Sequence, residues 1–183
     1  MSEGYQIYDQ NKLYYLTFQI VDWVDIFTRP TYKKVITDSF IFCRAHKGLE
    51  LYAYVVMTNH IHLLARAKEG FKLSDIIRDF KKFTASTILE MIKTNAESRS
   101  EWLLKRFEFA AMSHKRNSEF QFWTHENHAI EINSNNFLQQ KMNYIHQNPV
   151  RAMIVEKAED YIYSSAGNYY QNKGIIDIDY VQK

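Results

Sequence analysis

The sequence contains little cysteine, proline or glycine, and each shortage excludes a class of protein. The single cysteine, Cys43, cannot form a disulfide framework or a cysteine-based zinc cluster. Two prolines and five glycines in 183 residues exclude a collagen-like or linker-rich chain. No stretch approaches about 18 uninterrupted apolar residues, so we expect no contact with a membrane through a spanning helix. The first residues do not resemble a signal peptide, and we expect a cytoplasmic protein.

A strong excess of charge of one sign is also missing. Lysine and arginine together number 23, aspartate and glutamate 21, and the net charge is only +2. A protein that coats DNA through its total charge is therefore not indicated, and local clusters of cations matter more. Aromatic residues, by contrast, are abundant at 15%. They can fill a core and still leave candidates for stacking on bases.

The length predicts one domain over residues 1–183. The predicted elements, in chain order, are a strand at 12–22, a helix at 31–47, strands at 49–57 and 60–67, a helix at 73–93, a strand at 121–132, and a helix from Ser134 or Asn135 to Asn148. Residues 95–118 are polar, and a short helix with loops or a mobile arm would both fit them. Ser74 is predicted to cap the second helix, and Pro149 to end or kink the last one. This order predicts an α+β fold with a ferredoxin-like antiparallel sheet and helices packed on it.

Two histidines alternate in the strand predicted at 60–67. His60 and His62 point to the same face, whereas Ile61 points into the opposite layer. The two imidazoles lie about 7 Å apart along the strand and can converge on one divalent cation. Solvated surface histidines would explain the pair about as often. Its position directly after a tight turn, at the rim of the sheet, favours a ligand site.

A third ligand can come from the helix that ends near Pro149. Tyr144 and Asn148 are four residues apart, so they share one face of that helix. If the helix crosses the strand, the Asn148 amide oxygen can complete the protein ligands of the ion, with Tyr144 one turn away. Taken alone, the segment is explained better by a packed tyrosine and an ordinary residue at a helix C-terminus.

Together these side chains predict a reaction. Imidazoles and an amide oxygen suit Mg²⁺ or Mn²⁺, with positions left open for water and a phosphate oxygen. A phosphodiester bound there is polarised, and a nearby phenolate can attack it. The product is a phosphotyrosine and a free hydroxyl. Because this bond conserves the phosphodiester energy, the strand can be rejoined without ATP.

These motifs resemble a known family. His60-Ile61-His62 is similar to the motif of the HUH endonucleases, and residues 144–152 are similar to the tyrosine block of single-tyrosine HUH transposases, in the REP-associated tyrosine transposase branch. Residues 73–84, 123–130 and 160–165 also resemble that family. The resemblance covers a core of about residues 12–166, in the right order, and leaves a C-terminal tail at 167–183 without a counterpart.

The resemblance implies a ferredoxin-like or RRM-like core, a divalent metal, and a 5′-phosphotyrosine intermediate on single-stranded, hairpin-forming DNA. It implies that Tyr144 is the nucleophile, that His60 and His62 are metal ligands, and that Asn148 is the third. Relatives from insertion sequences usually carry glutamine at that last position, so Gln147 stays an alternative ligand. The family includes monomers as well as homodimers whose active sites are shared between subunits, and the sequence is compatible with both.

Clustered cations give candidates for contact with DNA phosphates. The predicted DNA-binding residues are Arg78, Lys81, Lys82, Lys105, Arg106, Lys115, Arg116 and Arg151. Solvated helix faces would explain many of these charges equally well.

The sequence gives less support to other activities. A histidine-triad hydrolase would need a histidine where the chain has Leu64, and His125 and His128 lack the spacing of a thermolysin-like zinc site. The main alternative is a non-catalytic module that binds single-stranded nucleic acid through exposed aromatics on the sheet. The candidates for such stacking are Tyr14, Phe18, Tyr52 and Tyr54. A domesticated nuclease that no longer mobilises DNA is a further alternative.

Overall fold

The computed structural model describes residues 6–112 and 119–181. Its strands are β1 (Tyr14–Gln19), β2 (Leu49–Val56), β3 (His60–Ala67) and β4 (Ile130–Glu131). Its helices are α1 (Pro30–His46), α2 (Leu73–Thr94), α3 (Ser100–Met112), α4 (Asn135–Arg151) and α5 (Ala166–Gln171). Short 3₁₀ turns occur at Val21–Trp23, Ile26–Thr28 and Ala158–Asp160.

The strands form one four-stranded sheet in the order β2-β3-β1-β4, with every neighbouring pair antiparallel. β1 and β2 are separated by β3, and α1 connects them across one face. This arrangement confirms the predicted α+β, ferredoxin-like class. In the register of the sheet, Thr17 of β1 and Val55 of β2 lie opposite His62 of β3.

Alternation along the strands divides the interior into two layers. One face carries Ile61 and Leu63 and packs in the same core as side chains from α1, α2 and α3. The other face carries Tyr15 and Leu64 and packs against α4. The two histidines of β3 therefore belong to the α4 face, because their neighbour Ile61 occupies the other.

The strand predicted at 121–132 forms only at Ile130–Glu131. The Lys81 ammonium donates hydrogen bonds to the Thr124 carbonyl at 2.7 Å and to Asn127 Oδ1 at 2.9 Å. His128 has a φ of +41°, which a regular strand does not allow. Backbone hydrogen bonds still join this segment to β1, for example from the Thr124 amide to the Gln19 carbonyl at 2.8 Å, but only Ile130–Glu131 forms a regular strand.

The cap predicted for α2 and the end predicted for α4 differ from the structure. α2 begins at Leu73, its N-cap residue makes no capping bond through its side chain, and the Ser74 amide donates to Gln10 Oε1 at 2.9 Å. α4 continues through Pro149 to Arg151, with Pro149 buried. The buried contacts of this turn offset the one backbone hydrogen bond that proline removes. The predicted cap of α4 is confirmed, since Ser134 accepts from the Phe137 amide.

Residues 95–112, left open between a helix and a mobile arm, contain helix α3. Within residues 6–112 and 119–181, no helix is long and apolar enough to cross a membrane.

Candidate active site on the α4 face of the sheet

His60 and His62 lie side by side at the start of β3, as the alternation predicts. Their ring centroids are 4.7 Å apart, at an interplanar angle of 67°. His62 is only 6% exposed, whereas His60 is half-buried at the rim. Burial lowers the pKa of both imidazoles, and lowers that of His62 to about 3, with the nearby His60, Lys141 and Arg151 adding to the effect. Both rings are therefore neutral at physiological pH, the form that binds metal ions.

A hydrogen-bond chain defines which nitrogen of His60 is available. Asn59 Nδ2 donates to the Trp23 carbonyl at 3.2 Å and to Asp25 Oδ1 at 3.1 Å. These two acceptors fix the orientation of the Asn59 amide, so its Oδ1, 2.8 Å from His60 Nδ1, must accept. His60 thus carries its proton on Nδ1, and its Nε2 keeps a lone pair for a metal ion.

His62 is held in the same way by two hydroxyl groups on β1. Its Nδ1 lies 2.8 Å from the Tyr15 hydroxyl and 2.9 Å from Thr17 Oγ1. The Tyr15 ring also stacks on the imidazole, with centroids 5.4 Å apart. With the ring proton on Nδ1, either hydroxyl oxygen can accept the hydrogen bond, and Nε2 then keeps a lone pair for a ligand. Such partners on the second ring nitrogen are typical of metal-binding histidines.

Tyr144 reaches these histidines within a single chain. Its ring centroid lies 5.4 Å from that of His62 and 6.2 Å from that of Tyr15, and both contacts are edge-on. The side chain is on α4, which crosses this face of the sheet and buries Ile145 beneath it. Tyr144 remains 38% exposed, so a substrate in solvent can approach it. The Tyr144 ring and the imidazole pair therefore lie next to one another within one chain.

Two cations flank the Tyr144 ring. The Arg151 guanidinium carbon lies 4.2 Å from the ring centroid, and its Nη2 donates to the Tyr144 carbonyl at 3.1 Å. The Lys141 ammonium lies 6.0 Å from the same ring and 4.6 Å from that of Tyr15. Arg151 was among the predicted DNA-binding residues, and Lys141 was not. Its spacing, three residues before Tyr144, places it on the same helix face and could have identified it.

The residues present fit a divalent metal ion. Two neutral imidazoles offer Nε2 lone pairs on one face, next to a solvent-accessible phenol. Within residues 6–112 and 119–181, no cluster of three His, Cys, Asp or Glu side chains could hold a metal. The third protein ligand stays a prediction, and Asn148 and Gln147, both half-buried on the last turns of α4, are the candidates that the sequence offered.

The cations predicted on α2 lie on the other layer. Since α2 packs against the face opposite the histidines, Arg78, Lys81 and Lys82 are separated from His62 by the sheet. Arg78 pairs with Asp75 and Asp79 on its own helix. The Lys81 ammonium is used inside the fold, and burial lowers its pKa to about 8. The structure therefore does not bring these three side chains to the site, because the helix that carries them packs on the opposite face.

The remaining predicted cations divide differently. Lys105 pairs with Glu101 on the surface of α3, and Arg106 lies 3.9 Å from Asp22, in the loop after β1. Lys115 and Arg116 lie outside the described residues.

Sequence reasoning also proposed aromatic side chains on the sheet as a stacking platform. All four candidates are buried in the two cores: Tyr14, Phe18, Tyr52 and Tyr54. They are not available to bases, so that platform is absent. Cys43 is buried, and burial raises the pKa of its thiol to about 11.

Comparison with known proteins adds to this geometry. The model of a family described as IS200-like transposase matches residues 13–148. A REP-associated tyrosine transposase, solved bound to a REP hairpin, is similar at 19% identity with a TM-score of 0.66, over 100% of this chain and 93% of that chain. A candidate transposase from Deinococcus radiodurans is 19% identical with a TM-score of 0.44, over 79% of this chain and 95% of that chain. No curated protein matched the chain.

Proposed function

This chain belongs to the IS200-like transposase family, and on that premise we propose that it cleaves and rejoins single-stranded DNA through Tyr144. The observation that carries the proposal is the 5.4 Å separation between the Tyr144 and His62 rings within one chain. A nucleophile beside two neutral imidazoles, open to solvent, is the arrangement that a phosphodiester transesterase needs.

The metal ligands in this proposal are His60 and His62 through Nε2, with Asn148 or Gln147 as the third. When bound, a divalent cation such as Mg²⁺ or Mn²⁺ would polarise the phosphodiester and stabilise charge on its oxygens. Tyr15, Thr17 and Asn59 prepare the two imidazoles for this role, because their oxygens can accept a hydrogen bond from a ring Nδ1 and so leave Nε2 unprotonated.

The Tyr144 hydroxyl loses its proton and attacks phosphorus in line with the leaving oxygen. A bond forms between the phenolic oxygen and phosphorus, the bond to the 3′ oxygen breaks, and that oxygen leaves as a 3′-hydroxyl after taking up a proton. The 5′ end is then held as a phosphotyrosine. Attack by another 3′-hydroxyl reverses the step, restores the phenol and joins the strands.

The cations next to Tyr144 fit the substrate. Lys141 and Arg151 place two positive charges at the ring, and within residues 6–112 and 119–181 neither forms a salt bridge with a carboxylate, so they can neutralise the phosphates on either side of the scissile one. The solved relative was bound to a REP hairpin. We propose that the substrate here is likewise single-stranded DNA next to a hairpin. One chain suffices for the chemistry, because all the proposed groups belong to it.

The experiment is covalent trapping. Wild type, Tyr144→Phe and the control Tyr170→Phe are incubated with labelled single-stranded hairpin oligonucleotides and Mn²⁺, and protein-linked 5′ product is separated on a denaturing gel. Tyr170 is an exposed tyrosine on α5, and its ring contacts His146. We expect the adduct with wild type and Tyr170→Phe, none with Tyr144→Phe, and none after chelation of the metal. An adduct that survives in Tyr144→Phe would show that the nucleophile is another residue.

A further inference from the structure

The loop after β1 holds two strained residues in succession. Asp22 and Trp23 have φ values of +53° and +54°, a left-handed conformation that costs a bulky residue conformational energy. The loop is nevertheless well fixed, because Val21 and Val24 on either side are buried. The Trp23 amide donates to the Ile20 carbonyl at 3.2 Å. The fold thus maintains an unfavourable backbone whose effect is to turn Trp23 outward.

The outward tryptophan stands beside the proposed metal ligands. Trp23 is 60% exposed, an unusual state for the largest apolar side chain. The edge of its ring contacts His60, with centroids 6.1 Å apart and an interplanar angle of 76°. Its carbonyl also accepts the hydrogen bond from Asn59 that orients the His60 partner. The exposed ring of Trp23 therefore lies next to His60, beside the place where the scissile phosphate would bind.

A second tryptophan and two guanidinium groups complete a pocket next to Trp23. Trp102 on α3 is 47% exposed, and the Arg106 guanidinium lies 5.7 Å from its ring centroid. Arg99 is held by the buried carboxylate of Glu97, and its Nη1 donates to the Asp25 carbonyl at 3.2 Å. Trp23, Trp102, Arg99 and Arg106 line a pocket of about 240 Å³ together with Asp22, Val24 and Asp25.

The charges of this pocket favour a base over a phosphate. The two positive charges of Arg99 and Arg106 are matched by the two negative charges of Asp22 and Asp25. Asp22 lies 3.9 Å from Arg106, and the Asp25 carboxylate accepts a hydrogen bond from Asn59. A phosphate would meet the carboxylates at a cost, whereas an uncharged flat ring would not. Nucleobases offer acceptors to arginine and donors to aspartate on their edges, and stack on tryptophan with their faces.

We propose that Trp23 and Trp102, with Arg99 and Arg106, form a cradle for one unstacked nucleobase of the strand that crosses the active site. The cradle rests on the proposed function, since it assigns a base-binding subsite to the same single-stranded substrate. Held there, the base fixes the register of the strand, so that one phosphate and not its neighbour faces Tyr144.

The test measures binding without cleavage. All proteins carry Tyr144→Phe, and the probe is a fluorescent hairpin oligonucleotide with a single-stranded flank, taken from the DNA beside this protein's own gene. One abasic site is moved along the flank, position by position. Each probe is titrated with the Tyr144→Phe protein and with versions that also carry Trp23→Ala, Trp23→Phe or Trp102→Ala. Far-ultraviolet circular dichroism confirms that each variant is folded.

We expect one position at which the abasic site weakens binding roughly 5- to 100-fold, the range for loss of one base stacked on an aromatic ring. Trp23→Ala and Trp102→Ala should weaken binding of the intact probe and abolish the penalty at that position alone. Trp23→Phe should retain most of the affinity for the intact probe and most of the abasic penalty at that position. If Trp23 only supports His60, Trp23→Ala should weaken the binding of all probes equally and leave every abasic penalty in place. That result would overturn the cradle.

The outcomes separate the two proposals. Binding with no abasic penalty that depends on Trp23 or Trp102 overturns the cradle, and covalent trapping by Tyr144 is unaffected by that result. A penalty that depends on both tryptophans, combined with no trapped adduct, supports the cradle and overturns the chemistry. Loss of all binding to the probe overturns both.

Discussion

Replacing Tyr15 with phenylalanine tests whether the two hydroxyl groups on β1 prepare His62 for a metal ion. The change keeps the ring that stacks on the imidazole, and removes only the oxygen that lies 2.8 Å from Nδ1. Thr17 Oγ1, at 2.9 Å, remains as a partner. We therefore expect a modest effect, about 5- to 10-fold weaker Mn²⁺ binding, because one hydrogen bond contributes roughly 1 kcal/mol.

The double variant Tyr15→Phe/Thr17→Val should bind Mn²⁺ about 100-fold more weakly than wild type. It leaves the buried Nδ1 of His62 without either partner, and loss of such support to a metal-binding histidine costs roughly 10- to 100-fold in affinity. Isothermal titration with Mn²⁺ measures both effects, and the Mn²⁺ concentration for half-maximal adduct formation should shift in parallel.

The matched control is Tyr14→Phe. Tyr14 is the neighbour of Tyr15 on β1 but points into the opposite layer, where its hydroxyl accepts from the Asp9 amide at 3.3 Å. Loss of the Tyr14 hydroxyl should leave the affinity for Mn²⁺ unchanged. If the double variant bound Mn²⁺ as tightly as wild type, the ion would not bind through His62 in the orientation described, and the argument from the Nδ1 partners would be refuted.

Two further predictions concern pH and DNA. Burial lowers the pKa of His62 to about 3 and that of His146 to about 4. Below about pH 6.5 the unfolded chain therefore binds protons at these two histidines that the folded chain excludes. The free energy of unfolding should fall by up to roughly 4 kcal/mol between pH 7 and pH 5. Urea titrations measure this, and His146→Gln should remove about half of it, whereas an unchanged dependence in that variant would contradict the assignment. Lys141→Ala should weaken binding of single-stranded DNA and lower the slope of log affinity against log salt by about 0.7, whereas Arg78→Ala, on the opposite layer, should change neither. Equal effects of the two variants would mean that DNA also contacts α2.

The fold was largely predictable because its main elements have regular patterns. Alternation identified β3 and placed His60 and His62 on one face, and helical spacing placed Tyr144 and Asn148 on another single face. The weakest prediction was the strand at 121–132, of which only Ile130–Glu131 forms a regular strand. The Lys81 ammonium satisfies polar groups of residues 121–132, and no local pattern could reveal that.

The site was predicted less completely than the fold. The sequence pattern selected His60, His62 and Tyr144, which the structure brings together, but Tyr15 and Thr17 contact His62 through the register of β1 with β3, which depends on tertiary pairing. Lys81 and Arg78 were selected as DNA contacts from charge alone, and charge does not indicate the layer on which a helix packs. Trp23 was not selected at all, because its significance comes from a backbone conformation that is visible only in three dimensions.

That Tyr144 meets its histidines within one chain has a consequence for stoichiometry. A lone phenol can hold one strand terminus at a time. Excising a segment requires two cuts, and both termini must be kept until they are exchanged. A single copy would have to release the first terminus before attacking the second. Two copies, each complete, could retain both, so any pairing of chains would serve to bring two loaded sites together and not to assemble either one.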